Sequence, residues 1–400
     1  MKILVVAPQP FFTPRGTPFS VYYRTLVTAR LGHNIDLLTY GAGRDVSIPG
    51  CRIVRTPRFS WLGPVPIGPS FLKLFLDIVL VAWTLGMLLR HRYEVVHAHE
   101  EAVFWCRWLR PLFRFRLVYD MHSSLVEQLD NFEFTRNRLV HLIFRKLERS
   151  AVRAADAVIV ICPELREYAK SVGADPDRIH LIENSIFEKV NFSDEDHPLD
   201  SDPRPSPEHA ALEKWLSHRS MRHLVTYAGT LEAYQGIDKL IEAFARVAAH
   251  FPDAGLLIAG GSPSQVENFR AHATSLGLAH QVFFAGQIDQ ARAQRLVALG
   301  AVTVSPRFAG NNTPLKIYQL AASGVPIVAT RIRSHTQVLS DDLATLTEPD
   351  VAALADGMIR ALEDPATARA KAERAMAWYE KEYSPAVYTA KMQVLLARIA

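Results

Sequence analysis

The stretch "GNNTPLKIYQLAASGVPIVAT", residues 310–330, has the pattern of a polar loop, a short helix, a glycine turn and a buried strand. Two asparagines and a threonine precede Pro314. Asn is a favoured N-cap residue and Pro is favoured in a first helical turn, so a helix is predicted to begin here. Its unpaired N–H groups and dipole favour an anion. Lys316 follows in that turn, where the dipole disfavours a cation, and therefore indicates a negatively charged ligand.

The same alternation of short apolar strands and amphipathic helices extends over the chain. The first half contains "KILVVAP", "NIDLLTY", "YEVVHAH", "FRLVYDMH", "DAVIVIC" and "IHLIEN"; the second contains "HLVTYAG", "GLLIAGG", "QVFFAG", "AVTVSP" and "PIVAT". Brief, nearly all-apolar runs are typical of parallel strands buried on both faces. The sequence therefore predicts an α/β protein with two Rossmann-like, doubly wound parallel-sheet domains. They are expected to face a central cleft at their strand carboxyl ends, where ligands bind.

Domain boundaries follow from a break in this alternation. A length of 400 residues predicts two domains. The stretch "NFSDEDHPLDSDPRPSPEH", residues 191–209, is rich in Pro, Ser and Asp and offers no apolar face. We predict an N-terminal domain over 1–190, a linker or surface excursion over 191–215 and a C-terminal domain over 216–383. Residues 384–400, which follow a break at Ser384–Pro385, are predicted to form a helix that packs back on the N-terminal domain.

Charge and cysteine content set the expected location. The net charge is +4, distributed as about +7 over residues 1–190 and about −3 over the rest. The cysteines have no metal or redox spacing, and the start "MKILVVAPQP" does not have the pattern of a signal peptide. We expect reduced thiols and a cytoplasmic protein.

The most apolar segment is "SFLKLFLDIVLVAWTLGMLLRHR", residues 70–92. It approaches the ~20 residues of a membrane span, but Lys73 and Asp77 interrupt it. One interpretation is a buried helix that leads into the next strand; the other is a helix in the membrane interface. In "FWCRWLRPLFRFR", residues 104–116, aromatics alternate with arginines, which suits a lipid headgroup layer. We expect membrane contact through residues 70–116 and no nucleic acid, because no nucleic-acid motif accompanies the patch.

Several stretches, in order, resemble the retaining GT-B glycosyltransferases of family 4, also called glycosyltransferase group 1. They are "APQPFFTPRGTPFSVYYRTLVTARLGHNIDLLT", "VVHAH", "LVYDMHSS", "SAVRAADAVIVICPELREYAKSVGADPDRIHLIENSI", "TYAGTLEAYQGIDKLIEAF" and "NNTPLKIYQLAASGVPIVAT". The resemblance implies a hexosyltransferase whose C-terminal domain binds a UDP- or GDP-linked sugar. The sugar passes with retention, and without a metal or other cofactor, to an acceptor on the N-terminal domain.

The resemblance also implies site residues, with departures from the family pattern. Where the family carries an arginine and a lysine for the diphosphate, this chain has Thr230 and Gln235. Where it carries two glutamates, this chain has Gln319 and either Asn311 or Asn312. The implied catalytic residues are His122, Lys316, Arg307 and Asn311. The implied donor-binding residues are Gly16, Thr17, Thr230, Glu232, Gln235, Asn312, Thr313, Pro314, Leu315 and Gln319.

Two hypotheses explain these departures: a decayed domain that only binds, or a rebalanced catalytic site. Loss of two cations together with two anions keeps the local charge about even, and Arg307 and Lys316 supply replacement cations, which favours the second. A nucleotide-sugar epimerase is disfavoured, because it needs acid/base carboxylates or histidines around the sugar. His97 and His99 share a strand face, but no third ligand at zinc-like spacing follows, so no metal site is predicted.

The expected acceptor follows from the apolar helix, the aromatic-arginine stretch and the basic first half. A glycan, glycolipid or polyprenyl-linked sugar at the membrane suits these features. We therefore expect a cytoplasmic protein that associates peripherally with the inner face of the membrane and acts in cell-envelope glycan or glycolipid synthesis.

Overall fold

The computed structural model describes residues 1–13, 16–59, 61, 63, 65, 70–124, 138–184, 190, 207–217, 221–310 and 313–400. The chain divides into two compact units. The N-terminal unit comprises Met1–Asp196 and Pro385–Ala400, and the C-terminal unit comprises His197–Ser384. Each unit is built on one parallel sheet with helices on both faces. The predicted α/β class with two Rossmann-like domains is confirmed.

The sheet of the N-terminal unit has the order β3-β2-β1-β4-β5-β6-β7 among the described residues. The order reverses beside β1, which is the switch point where such sheets bind ligands at their strand carboxyl ends. The strands are β1 (Lys2–Ala7), β2 (Asn34–Thr39), β3 (Cys51–Arg55), β4 (Val95–His99), β5 (Arg116–Met121), β6 (Ala157–Val160) and β7 (Ile179–Leu181).

Two groups of helices cover this sheet. Strand residues such as Leu4 and Val96 share one core with α2 (Phe71–Arg90), α3 (Ala102–Phe113), α4 (Arg138–Ala154) and α5 (Pro163–Ser171). Their neighbours Ile3 and Val95 share the opposite core with α1 (Gly16–Arg30) and α14 (Pro385–Ile399). Alternate strand residues therefore enter different cores, as the pleat requires. The final helix α14 packs within the N-terminal unit through side chains such as Tyr388 and Met392.

The sheet of the C-terminal unit has the order β10-β9-β8-β11-β12-β13 in the described part of the chain. Its strands are β8 (His223–Ala228), β9 (Ala254–Ala259), β10 (Val282–Gly286), β11 (Val302–Ser305), β12 (Ile327–Thr330) and β13 (Thr345–Thr347). Its helices are α6 (Pro207–Ser217), α7 (Ile237–His250), α8 (Pro263–Ser275), α9 (Gln290–Ala298), α10 (Lys316–Ala322), α11 (Arg333–Thr336), α12 (Val351–Glu363) and α13 (Pro365–Glu382).

The structure corrects three expectations about individual elements. The edge strands β3 and β13 were not predicted, because arginines interrupt the apolar residues of β3 and threonines flank the single leucine of β13. Residues 191–206 of the predicted linker lie outside the described residues, and 207–215 belong to α6. Leu212 of α6 is buried in the C-terminal unit and Trp215 Nε1 donates to His280 O at 3.0 Å, so this part of the linker prediction is wrong. Helix α10 begins at Lys316, later than the sequence pattern indicates.

Helix α2 packs against the core on one side only, rather than being the buried helix that one interpretation of its sequence predicted. It is long and apolar enough to cross a membrane, yet only 28% of its most hydrophobic window is buried. Phe71, Ile78 and Leu89 are 82%, 63% and 70% exposed on its outer face. Its charged residues Lys73 and Asp77 turn inward, to Glu101 and Tyr40. The exposed side of α2 is therefore apolar along its length.

Candidate functional site

Three residues at the predicted donor site form one chain of hydrogen bonds in the C-terminal unit. Lys316 Nζ, at the start of α10, donates to Gln235 Oε1 at 3.1 Å. Gln235 Nε2 donates to Thr230 Oγ1 at 3.4 Å, and the backbone oxygen of Thr230 accepts from Tyr227 Oη at 2.6 Å. Thr230 and Gln235 are the positions where the family resemblance led us to expect cations. The fold instead brings a cation to Gln235 from another segment of the chain.

The amine of Lys316 lies in a poorly compensated environment. Its Nζ is 4.3 Å from the centroid of the Tyr227 ring, which attracts the cation through its π face. Lys316 forms no ion pair among the described residues. Burial, together with the nearby charge of Arg307, lowers the pKa of Lys316 to about 7. A half-buried amine that meets an amide and a ring, but no carboxylate, favours an incoming anion.

A second cation, Arg307, follows strand β11. Its guanidinium carbon is 4.9 Å from the centroid of the Tyr234 ring, and burial lowers its pKa. A Cβ at Gly310, where φ is 116°, would lie 2.4 Å from Arg307 Nη2. The positive φ favours glycine at that turn, and the missing Cβ leaves room for the guanidinium. The charge of Arg307 acts on Lys316, so the two residues form a pair of neighbouring cations.

The start of α10 differs from the sequence expectation. Leu315 occupies the N-cap position without a side-chain cap, and Pro314 precedes the helix rather than lying in its first turn. Asn311 and Asn312, the predicted cap and sugar-binding residues, lie outside the described residues. Thr313 Oγ1 and Gln319 Nε2 are buried atoms without a hydrogen-bond partner among the described residues. Buried polar atoms are normally paired, so these two are available to a ligand.

The other predicted donor residues are less organised. Glu232 is exposed and makes no side-chain cap to the short 3₁₀ turn Ala233–Gln235, as a solvated loop acid does. Gly16 is the first residue of α1, and a Cβ there would meet nothing within 4 Å. The fold therefore does not require glycine at position 16, and its role stays a prediction. Thr17 follows Gly16 and is half-buried.

At the carboxyl ends of β4 and β5, the N-terminal unit assembles a buried cluster of histidines around one carboxylate. His97 Nε2 is 3.0 Å from Asp120 Oδ2, and His99 Nδ1 is 3.3 Å from the same oxygen. His122 Nε2 is 3.3 Å from Asp120 Oδ1 and 3.1 Å from His99 Nδ1. Arg24 of α1 forms a buried ion pair with Asp120. The predicted His122 thus belongs to a cluster with His97 and His99. The sequence indicated these histidines but not their charged partners Asp120 and Arg24.

Asp120 sets the electrostatics of this cluster. Although burial alone would raise its pKa, Arg24 holds the pKa of Asp120 well below its usual range. Burial lowers the pKa of His122 to about 4 and that of His99 well below its ordinary value. Both imidazoles are therefore neutral at pH 7 and can donate or accept hydrogen bonds.

His97, His99 and Asp120 also bring ligand atoms within 4.8 Å of one another, which is metal-like spacing. The third ligand absent from the sequence pattern comes from the neighbouring strand, where Asp120 pairs in register with His99. The donor set nevertheless does not fit a metal well. Both imidazole nitrogens approach the one oxygen Oδ2, and the other oxygen binds the guanidinium of Arg24. A cation at this point would be repelled by Arg24.

A group of acids that the sequence did not indicate follows β4. Glu100 has φ 47°, an uncommon conformation for a residue other than glycine. Burial, opposed by Lys73, raises the pKa of Glu100 to about 7. Burial and the charge of Glu101 raise the pKa of Asp77 to about 8. Strained, partly protonated carboxyl groups at a strand carboxyl end are frequent at functional sites. No local pattern could reveal this group, since Asp77 reaches it from α2.

Two family models match consecutive parts of this chain. The family described as "Glycosyl transferase 4-like domain" matches residues 24–185. The family described as "Glycosyl transferases group 1" matches residues 211–380. Between them, the two models match most of both units.

Curated relatives and solved structures agree with these matches. The chain is 22% identical over 379 residues to a phosphatidylinositol N-acetylglucosaminyltransferase subunit of Arabidopsis thaliana, across 90% of this chain and 74% of that one. It is 26% identical over 340 residues to alpha-D-kanosaminyltransferase of Streptomyces kanamyceticus, across 80% and 84%. The structure of HepE of Anabaena in complex with UDP aligns over 99% of this chain and 100% of that one, with a TM-score of 0.71 and 17% identity. At that identity, the structural likeness shows the fold alone.

Proposed function

The chain belongs to the group 1 glycosyltransferases and has their GT-B fold, and from this premise we propose the donor, the acceptor and the stereochemistry of its reaction. The protein transfers a hexosyl group from a UDP- or GDP-linked sugar to a membrane-associated acceptor. The transfer retains the anomeric configuration and uses no metal. The observation that carries the proposal is the Lys316–Gln235 hydrogen bond, which joins a cation on α10 to the loop after β8.

The diphosphate of the donor is the anion that this arrangement suits. Lys316 and Arg307 are two partly buried cations, and Lys316 has no carboxylate ion-pair partner among the described residues. An incoming phosphate oxygen replaces the neutral Gln235 oxygen as the acceptor for Lys316 and forms a stronger, charge-assisted bond. Gln319 Nε2 and Thr313 Oγ1 then supply hydrogen-bonding atoms for the ribose and sugar hydroxyls. We assign the same role to Asn311 and Asn312, and phosphate contact to the backbone at Gly16 and Thr17.

The chemistry needs positioning and charge stabilisation rather than a protein nucleophile. The acceptor hydroxyl oxygen bonds to the anomeric carbon on the face from which the diphosphate departs. The hydroxyl proton passes to the departing phosphate oxygen. Lys316 and Arg307 stabilise the charge that develops on this leaving group, which is usually the largest contribution to such catalysis. His122, neutral at pH 7, is proposed to bond a hydroxyl of the transferred sugar.

The acceptor is proposed to be a lipid-linked glycan or a glycolipid. The exposed apolar side of α2 supports this, because monomeric soluble proteins rarely expose contiguous apolar surface of that kind. The Arabidopsis relative bears "phosphatidylinositol" in its name, which is consistent with a lipid acceptor. We therefore propose a cytoplasmic enzyme on the inner face of the membrane that contributes to cell-envelope glycan or glycolipid synthesis.

A sugar-nucleotide-binding protein without turnover is the competing hypothesis, since the usual Arg/Lys and Glu/Glu residues are absent. The hydrogen bonds from Lys316 to Gln235 and from Gln235 to Thr230 count against a decayed domain. The two substituted residues, Gln235 and Thr230, bind each other and the replacement cation. An epimerase is disfavoured: the described donor loop offers amides, and its acid Glu232 is exposed.

Nucleotide release tests the proposal. Purified protein is incubated with UDP- and GDP-sugars, with and without a membrane lipid extract, and the freed nucleotide and glycosylated lipid are measured. Lipid-dependent release of UDP or GDP, lost in Lys316→Met, is the expected result. Tight nucleotide binding without release under every condition would establish the binding protein instead. Equal release of nucleotide with and without the lipid extract would rule out the lipid acceptor.

A further inference from the structure

A groove of about 690 Å³ opens in the N-terminal unit at the amino ends of its strands. Glu94 and Phe115 line it just before β4 and β5 begin. The candidate histidine cluster lies at the carboxyl ends of the same two strands, and all strands of this sheet are parallel. The groove is therefore on the opposite edge of the sheet and is separate from the chemistry proposed above.

The lining of this groove, called here the arginine groove, is strongly positive. Five arginines line it against one acidic side chain, Glu94, and the terminal residues Met1 and Ala400 line it as well. The Glu94 carboxylate is already used, because its Oε1 accepts from the backbone N–H of Lys2 at 2.8 Å. The arginines are Arg92, Arg107, Arg110, Arg114 and Arg116.

Three of these arginines have no acidic partner in the described part of the chain. Arg110 Nη2 is 2.8 Å and Arg116 Nη1 is 3.6 Å from the same oxygen of Asp156, so one carboxylate serves two guanidiniums. Arg92, Arg107 and Arg114 form no ion pair with a described residue. Uncompensated guanidiniums that converge on a groove favour a ligand with several anionic oxygens, and phosphate fits their forked geometry.

Two local features indicate that this arrangement is more than a solvated basic surface. Arg107 Nε is buried without a hydrogen-bond partner among the described residues, and its guanidinium carbon is 5.2 Å from the centroid of the Trp108 ring. Arg114 follows α3 in the left-handed conformation, at φ 55° and ψ 42°, where glycine is usual. A long cationic side chain is thus held at a position that disfavours it.

The groove borders exposed apolar surface. On α3, Trp108 and Leu112 are 62% and 75% exposed and alternate with the arginines of the groove. Helix α2, whose outer face is apolar, ends at Arg90, two residues before Arg92. A soluble phosphate metabolite accounts for the arginines but leaves this surface in water. A lipid accounts for both, since its phosphate meets guanidiniums and its chains meet the apolar side chains.

We propose that the arginine groove binds the phosphate of an anionic phospholipid headgroup, with Trp108 and Leu112 beside it in the acyl-chain boundary of the same leaflet. The site rests on the membrane association proposed above and adds the lipid class and the residues that recognise it. It holds the enzyme on the bilayer and takes no part in the transfer reaction.

Flotation of the full chain with vesicles tests the site. Vesicles of phosphatidylcholine, with and without phosphatidylglycerol, are compared at low salt. The test variant combines Arg92→Gln, Arg107→Gln and Arg114→Gln. The matched control combines Arg246→Gln, Arg360→Gln and Arg369→Gln, which removes the same charge from exposed positions on the C-terminal unit. We expect the first triple variant to bind phosphatidylglycerol vesicles about 100-fold more weakly and the control to bind like the wild type.

Each remaining outcome overturns the site. Equal losses in both triple variants mean that net charge alone directs binding, and no loss in either means that the groove holds no lipid. Inorganic phosphate or glycerol phosphate is added without vesicles in a second arm, read by thermal shift. Stabilisation of the wild type but not of the groove variant, without any preference for phosphatidylglycerol, identifies a free phosphate ligand. Unchanged UDP and GDP binding in the variants establishes that they fold, and separates a failure here from a failure of the transferase proposal.

Discussion

Lys316 Nζ donates a hydrogen bond to Gln235 Oε1 at 3.1 Å, although the two residues lie 81 positions apart in the chain. Gln235 closes the loop after β8, and Lys316 begins α10. The contact links the loop to the start of the helix through a hydrogen bond from the cation. A diphosphate that binds there competes with an amide for this cation.

Replacement of Lys316 is expected to weaken diphosphate binding most. Lys316→Met removes a charge-assisted bond, typically worth about 1.5–3 kcal/mol, so the Kd for UDP or GDP should rise about 10- to 100-fold. Titration calorimetry measures this directly. Lys214→Met is the matched control, because Lys214 is exposed on α6 of the same unit. If the Kd is unchanged in Lys316→Met, Lys316 does not contact the diphosphate of the donor.

Gln235→Glu should turn the same hydrogen bond into an ion pair. The carboxylate neutralises Lys316 and repels the phosphates, so nucleotide affinity is expected to fall about tenfold while the thermal stability of the free protein rises. Glu373→Gln serves as a comparison, because Glu373 is exposed on α13 of the same unit and its loss should change neither quantity. Tighter nucleotide binding by Gln235→Glu would show that Lys316 does not face the diphosphate.

The lowered pKa of Lys316 predicts a pH dependence of donor capture. The amine of the free enzyme has a pKa of about 7, so it loses its proton, and its attraction for phosphate, as pH rises through 7. The value of kcat/KM for the donor should therefore fall on the alkaline side with an apparent pKa near 7. Lys316→Arg keeps its charge and should give a flat profile in this range. A wild-type profile that is flat from pH 6 to 9 would contradict the assignment.

The lowered pKa of Lys316 makes the free energy of unfolding depend on pH in the opposite direction to donor capture. Between the folded pKa of about 7 and the ordinary value of 10.5, the unfolded chain holds a proton on Lys316 that the folded chain has lost. The free energy of unfolding contributed by this group therefore rises with pH across that window and is lost as pH falls to 7. Denaturant titrations of wild type and Lys316→Met at several pH values isolate this contribution.

The buried pair of Arg24 and Asp120 should be costly to break. Asp120→Asn leaves the guanidinium uncompensated in the core of the N-terminal unit, and we expect a loss of about 3–5 kcal/mol in unfolding free energy. The double variant Arg24→Met, Asp120→Asn should recover part of this loss, because the uncompensated guanidinium is gone and the amide still offers an oxygen to the histidines. Chemical denaturation measures both. Equal stability of Asp120→Asn and the wild type would mean that the ion pair is dispensable for the fold.

Apolar contact of α2 with a bilayer is tested by substitution of its outer face. A variant with Phe71→Gln, Ile78→Gln and Leu89→Gln is expected to lose most vesicle binding, since each exposed side chain contributes its transfer free energy only when lipid covers it. The control variant Leu276→Gln, Leu299→Gln, Met376→Gln changes exposed apolar residues of the C-terminal unit and should bind like the wild type. Co-sedimentation at high salt suppresses electrostatic binding and isolates this term.

Local sequence patterns predicted the central strands and the edge strands β7 and β10, but not the edge strands β3 and β13. A fully buried parallel strand such as β6, with the sequence "AVIV", carries a continuous apolar run that is visible in the sequence alone. Strand β3 is half-buried, and its sequence "CRIVR" carries no such run. Helix α6 was not predicted, because it directly follows a Pro-rich stretch. Its packing through Leu212 and Trp215 depends on partners elsewhere in the chain, which the local sequence does not show.

The sequence by itself determined the two parallel-sheet units, because apolar periodicity is a local property. Its resemblance to the group 1 glycosyltransferases implied the family and the site candidates Lys316, Gln235 and His122. Only the tertiary structure decided what those residues meet. It joined Lys316 to Gln235, set Arg24 and Asp120 among three histidines, turned Lys73 and Asp77 away from the outer face of α2, and gathered five arginines at one sheet edge. Strand order and helix rotation fix those neighbours, and both follow from packing between distant segments rather than from any one stretch of sequence.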